Sequence, residues 1–163
     1  MSRLGKALAG RWGFHMLEEM RGVHEFEPAH GGGGKRPMVF RATWGTDDVR
    51  EWIDPRSDDF LVHDLDGTVT IDGLCRETPC RGTLALRYFR DATIRYTFEF
   101  EAGGTRYRYV GEKMGIRPWN WMWSHTRCYG RLTRIDTGEL VSTSLTTFRF
   151  RSVPRFLASL RLG

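Results

Sequence analysis

The sequence predicts an all-β fold: an antiparallel barrel of about eight strands, with a short helix after the second strand and an amphipathic helix near the C-terminus. Two observations carry this expectation. First, Ile94, Tyr96, Phe98 and Phe100 alternate with Arg95, Thr97, Glu99 and Glu101, a two-residue period that puts the large apolar groups on one face and the polar and charged ones on the other. Second, turn chemistry brackets this segment, Asp91-Ala92 before it and Ala102-Gly103-Gly104 after it, and the flanking runs 82–90 and 105–113 are again rich in Tyr, Phe, Leu and Thr. Three strands therefore follow one another as a tight meander. A fourth is expected over 124–132 after a Trp-rich connection, and a fifth over 140–151 after the turn Asp136-Thr137-Gly138-Glu139. Closing the meander into a barrel removes the unpaired edges it would otherwise expose.

The remaining elements follow in chain order. Residues 1–10 form a short basic lead, and residues 12–19 supply a first strand that Gly22 ends. Residues 25–36 contain Pro28 and the run Gly31-Gly32-Gly33-Gly34, whose backbone entropy places it in a surface loop. No Gly-Lys-Ser/Thr follows, so the loop is not a phosphate cradle. Residues 38–46 return to strand pattern, with Met38, Phe40, Ala42 and Trp44 on one face and Val39, Arg41 and Thr43 on the other. Asp48 then caps a short helix, with Glu51 three residues on and Val49, Trp52 and Ile53 as its apolar stripe before Pro55. Residues 60–71 read as an approach and a strand centred on Gly67 to Ile71. At the end of the chain, Ser152 as N-cap, Pro154 in the first turn, and Val153, Phe156, Leu157 and Leu160 at helical spacing predict the closing helix. No internal repeat is visible, and residues 1–163 read as one domain.

Composition excludes several classes. A chain of 163 residues can bury well over half of its unfolded surface without staples. Of its 25 cationic residues only Lys6, Lys35 and Lys113 are lysine. Such arginine dominance reads as a bias of the whole chain, and anions are interspersed with the cations, so no nucleic-acid partner is expected. Cys75, Cys80 and Cys128 cannot all pair, and C-x4-C is not a standard zinc spacing; a reducing, cytoplasmic location follows. No signal-peptide core and no transmembrane segment is read from the apolar runs. His15, His24, His30, His63 and His125 are scattered, and Asp64 and Asp66 suit a turn better than a calcium site, so neither metal nor cofactor is expected.

Three features carry chemistry. If Tyr107 and Tyr109 face inward because Arg106 and Arg108 want water, the same period sends Gly111 and Lys113 inward. Lysine is rarely buried unpaired, so the first reading of Lys113 is a strand end whose amine snorkels to solvent. The sharper one is an interior cation for a ligand carboxylate or oxyanion, or a nucleophilic amine. His125, beside Trp123, is the histidine best placed to move a proton, against the blander reading of a hydrogen-bonded structural imidazole. No Ser-His-Asp or Cys-His pairing can be assembled from spacing, and Cys128, three residues on, points to the opposite face of the strand, which argues against a Cys-His nucleophile. The stretch Pro118-Trp119-Asn120-Trp121-Met122-Trp123 reads as a plug sealing a barrel end, as an aromatic wall around a ligand, or as a docking patch. The phase of strand 124–132 stays open: Trp123, His125 and Tyr129 share one side, Thr126, Cys128 and Leu132 the other.

The runs Gly67-Thr68-Val69, Thr93-Ile94-Arg95-Tyr96-Thr97-Phe98, Thr105-Arg106-Tyr107-Arg108-Tyr109-Val110-Gly111-Glu112-Lys113 and Trp123-Ser124-His125-Thr126-Arg127-Cys128-Tyr129 resemble the lipocalin-like domain appended to cholesterol-oxidase-type GMC oxidoreductases. The resemblance covers residues 40–160 and departs from the family pattern at Val110, at Glu112 and over His125-Thr126-Arg127-Cys128. Nothing in the chain resembles the flavin-binding half of those enzymes. The resemblance implies a lipocalin-like barrel, standing alone, that holds a small hydrophobic molecule, sterol-, polyketide- or lipid-like. The expected lining is Tyr96, Phe98, Tyr107, Tyr109, Trp121, Trp123 and Phe148, with Lys113 and His125 as polar anchors. One alternative is a small isomerase or cyclase with His125 or Lys113 as acid/base and an inward tyrosine holding the oxyanion. Another is an accessory module that docks on a separate oxidoreductase through Trp119, Trp121 and Trp123.

Overall fold

A computed structural model of the chain describes residues 14–46, 48–58, 60–87, 89–115, 127–148 and 161–162. Eight strands run in sequence: β1 (Phe14–Phe26), β2 (Arg36–Thr46), β3 (Val62–Ile71), β4 (Cys75–Arg87), β5 (Thr93–Ala102), β6 (Thr105–Lys113), β7 (Arg127–Arg134) and β8 (Leu140–Phe148). Each pairs antiparallel with the next, and β1 pairs with both β2 and β8, so the meander closes into an up-and-down barrel. A two-residue strand, β9 (Arg161–Leu162), adds to β1 at Phe14 and His15. Because direction alternates, β2, β4 and β6 all finish at one end of the barrel. The tight turns after β3, β5 and β7 lie at the other.

Period two sorts the side chains as expected. Met38, Phe40, Ala42 and Trp44 of β2, and Ile94, Tyr96, Phe98 and Phe100 of β5, are all buried. In β7 the open phase is decided: Cys128, Gly130 and Leu132 point inward, while Arg127, Tyr129 and Arg131 are exposed. The middle of the barrel is filled by rings. Phe40 lies 5.6, 5.5 and 5.8 Å from Tyr96, Phe98 and Tyr109, and Phe98 stacks on Tyr109 at 4.7 Å. The turn end is tied by His24, whose Nδ1 meets Ser142 Oγ and whose Nε2 meets the Asp72 carbonyl, both at 2.9 Å. Outside, charges of opposite sign sit on neighbouring strands, Glu99 with Arg106 at 3.0 Å and with Arg108 at 2.7 Å, and Arg95 with Glu112 at 2.6 Å. Exposed pairs of this kind contribute at most about 1 kcal/mol each, as expected of a solvated outer face.

Three differences from expectation have an informative physical cause. β1 does not end at Gly22 but continues to Phe26; Gly22 faces Met38 on one neighbour and Thr146 on the other, and a Cβ there would lie 2.0 Å from the Leu145 carbonyl oxygen. Glycine marks a close approach of strands there, not a stop. β4 starts at Cys75, before residue 82, because Arg76, Glu77 and Pro79 are exposed on that strand and hide its period. The expected helix after β2 is a single turn, α1 (Val49–Trp52), where the Asp48 side chain accepts from Arg50 N at 2.9 Å. The Gly31–Gly34 run is loop, with positive φ at all four glycines. The predicted C-terminal helix from Ser152 to Leu160, the tryptophan stretch and His125 lie outside the described residues.

Candidate functional site

The two charged side chains buried among the described residues lie together. Lys113 closes β6 and Glu18 lies on the inward face of β1, and each is 5% exposed. Parity places both: Lys113 follows Tyr109 and Gly111 inward, and Glu18 shares its face with Met16 and Met20. Lys113 Nζ donates to Glu18 Oε1. Tyr96 Oη donates to the same carboxylate, 2.9 Å from both oxygens, and Trp44 Nε1 donates to Oε2 at 3.2 Å. The ammonium also stands 4.9 Å from the centre of the Tyr96 ring and 5.7 Å from that of Phe148, within the range of cation–π attraction. One carboxylate thus receives three convergent donors, and one ammonium meets a carboxylate and two aromatic faces.

The titratable neighbours are neutral near pH 7. Burial, and then the charge of Glu18, push the Tyr96 hydroxyl well above its ordinary value, so it stays a donor. Cys128 is the register partner of Lys113, and burial raises its thiol to about 11; it is not a thiolate nucleophile. His63, with ring centroids 4.8 Å from Trp44 and 4.7 Å from Trp52, is lowered to about 4, chiefly by burial.

His63 gives the first testable outcome. The folded chain favours the neutral imidazole, while the unfolded chain takes up a proton below its ordinary value of 6.5. The folded state therefore binds fewer protons, and stability is fully present above pH 6.5 and is lost as pH falls towards about 4. His24 is shifted in the same direction by burial. The urea midpoint is expected to drop across this window, and His63→Phe to flatten the drop. An unchanged slope in that variant would assign the acid sensitivity elsewhere.

The residues expected from the sequence divide into three groups. Tyr96, Phe98, Tyr109 and Lys113 are buried in the interior, and Phe148 is half-buried with its ring against Lys113. Lys113 does not snorkel: its amine turns inward because Glu18 gives it a partner there. Tyr107 lies at the turn end, stacked on Phe100 at 5.5 Å and lining a pocket of 230 Å³ with Phe26 and Gly73. It is therefore six residues along β6 from Lys113 and belongs to a different part of the barrel. Trp119, Trp121, Trp123 and His125 lie outside the described residues. Glu18 and Trp44 are the members of the site that sequence reasoning missed; the signal for Glu18 was its parity with Met16 and Met20.

Energetics set this cluster apart. Taking two ions out of water costs several kcal/mol apiece after relaxation, and an apolar pair of the same volume often serves the fold as well or better. A retained buried pair is thus a candidate site on physical grounds. The connections at its end of the barrel also expose apolar side chains: Ile53 is 54% exposed, Phe89 83% and Met114 65%. Among the described residues, no group of three or more His, Cys, Asp or Glu could hold a metal ion, and no helix is long and apolar enough to cross a membrane. No protein-family model, curated protein or solved structure matches the chain.

Proposed function

We propose that the barrel binds a small, mainly apolar molecule, sterol-, polyketide- or lipid-like, at the Lys113 end, with the Lys113–Glu18–Tyr96 cluster meeting its polar group. The observation that carries this reading is the buried lysine–glutamate pair set in an aromatic interior. An eight-stranded barrel either fills its inside with side chains or holds one small ligand. Here the interlocked Phe40, Phe98 and Tyr109 rings occupy the middle, so the reading puts the guest at the end beyond them. The exposed Ile53, Phe89 and Met114 give that end an apolar rim, suited to passing a hydrophobic molecule in from solution.

The test is a native mass spectrum of the full chain purified from its own host. A retained small molecule is expected with the wild type and is expected to be absent from Lys113→Met/Glu18→Gln, which keeps the cluster's volume but not its charges. Equal retention by both would remove the cluster from the binding site, and a wild type that never carries a guest would count against binding.

A second reading is favoured by one observation, the direct contact of Lys113, Glu18 and the Tyr96 hydroxyl. Such a triad can pass protons, as an isomerase or cyclase needs. Lys113 or Glu18 would then act as acid or base and Tyr96 would hold a developing oxyanion. A compound identified in the first experiment and returned unchanged after long incubation with the protein would count against this reading.

A further inference from the structure

We infer that the guest is electrically neutral: an apolar molecule with a carbonyl or comparable hydrogen-bond acceptor, and not a carboxylate such as a fatty acid. The inference rests on the binding reading above and follows from the charge balance of the cluster. Among the described residues, Glu18 and Lys113 are the buried charges, and they cancel. The neutral neighbours Tyr96, Cys128 and His63 leave that balance untouched.

The donors are unequally used. Glu18 already takes Lys113, Tyr96 and Trp44, so it cannot turn away without breaking hydrogen bonds to buried donors. Lys113 has three N–H groups, and among the described residues its contacts are one carboxylate and the faces of Tyr96 and Phe148, which are weak acceptors. A carbonyl oxygen arriving beside Nζ gains a charge-assisted hydrogen bond and adds no charge. A carboxylate in the same place sets a second anion next to Glu18 where the dielectric is low, and the site becomes net negative. Choice of residue points the same way. The chain carries its positive charge on arginine almost everywhere and keeps lysine at only three positions, one of them here. A compact ammonium presents a point charge that suits a single acceptor, whereas a guanidinium's planar fork is built to grip a carboxylate bidentately.

The experiment uses two probes of equal chain length, 2-undecanone and undecanoate, titrated into the full chain at pH 7 and followed by tryptophan fluorescence and calorimetry. The wild type is expected to bind the ketone about tenfold or more tighter than the carboxylate, a modest share of what an unpaired buried charge costs. Glu18→Gln leaves the site with one positive charge, so its preference is expected to shift towards undecanoate. Ketone binding is expected to vanish in Lys113→Met/Glu18→Gln. Undecanoate binding as tightly as the ketone to the wild type would overturn the inference while leaving the binding reading standing, and this comparison decides even if a variant fails to fold. Ketone binding that survives in the double variant would overturn it too, because the contact would then lie elsewhere. Failure of both probes to bind the wild type would remove the binding reading and the inference with it.

Discussion

Lys113→Met is expected to lower the free energy of unfolding by roughly 3–5 kcal/mol, and Lys113→Met/Glu18→Gln to recover most of that loss. The single variant keeps the side-chain volume but leaves the Glu18 carboxylate, 5% exposed, without its cation. The Tyr96 hydroxyl and Trp44 indole still donate to it, but two neutral donors do not offset a full charge in a low-dielectric interior. In the double variant an amide replaces the carboxylate, and its carbonyl oxygen still accepts from those two donors while the charge is gone. Urea denaturation at pH 7 followed by circular dichroism reads both values. A Lys113→Met protein as stable as the wild type would mean that Glu18 is solvated after all. Near-recovery in the double variant would place the value of the pair in function and not in folding.

Gly82→Ala is expected to cost roughly 3 kcal/mol or more, at the severe end of overpacking. Gly82 lies on β4 between Leu65 of β3 and Phe98 of β5. A Cβ there would stand 1.8 Å from the Thr97 carbonyl oxygen and 2.6 Å from the Phe98 Cα. Both obstacles are backbone, so no rotamer change relieves the clash; the strands would have to part, and Phe98 sits in the central ring stack. The neighbouring substitution Thr83→Ala, at an exposed position on the same strand, is the control and is expected to stay within about 0.5 kcal/mol of wild type. A Gly82→Ala protein with an unchanged urea midpoint would show that the barrel wall gives more easily than the register implies.

The wall of the barrel was largely legible in the residues. Alternation through β5 and β6 gave the strands, their inward faces and the inward course of Tyr109, Gly111 and Lys113. Where it misled, the physical reason is specific. Gly22 looked like a terminator because glycine weakens strands in general, yet in a tightly curved barrel it is the residue that lets two backbones meet. The first half of β4 was hidden because its outward residues are charged or proline, and a strand with Cys75 half-buried and Glu77 at φ 45° shows little period.

The candidate site was legible only in half. Lys113 could be found because tyrosines at its own parity pointed inward, but the natural inference for a lone lysine at a strand end is escape to water. What changes that is Glu18, 95 residues away in sequence, which stands in a Glu18-Glu19 doublet that reads as polar surface. Its neighbour Glu19 does face outward, paired with Arg21 and Arg41, so identical residues side by side have opposite environments.

By itself the sequence determined the period of each strand, and with it which side chains avoid water. Backbone geometry alternates faces at every step, and that rule is local. Which inward groups meet across the interior was decided by tertiary structure alone: it depends on the register between strands and on β1 closing the ring between β2 and β8, and no local preference encodes the partner of a charge.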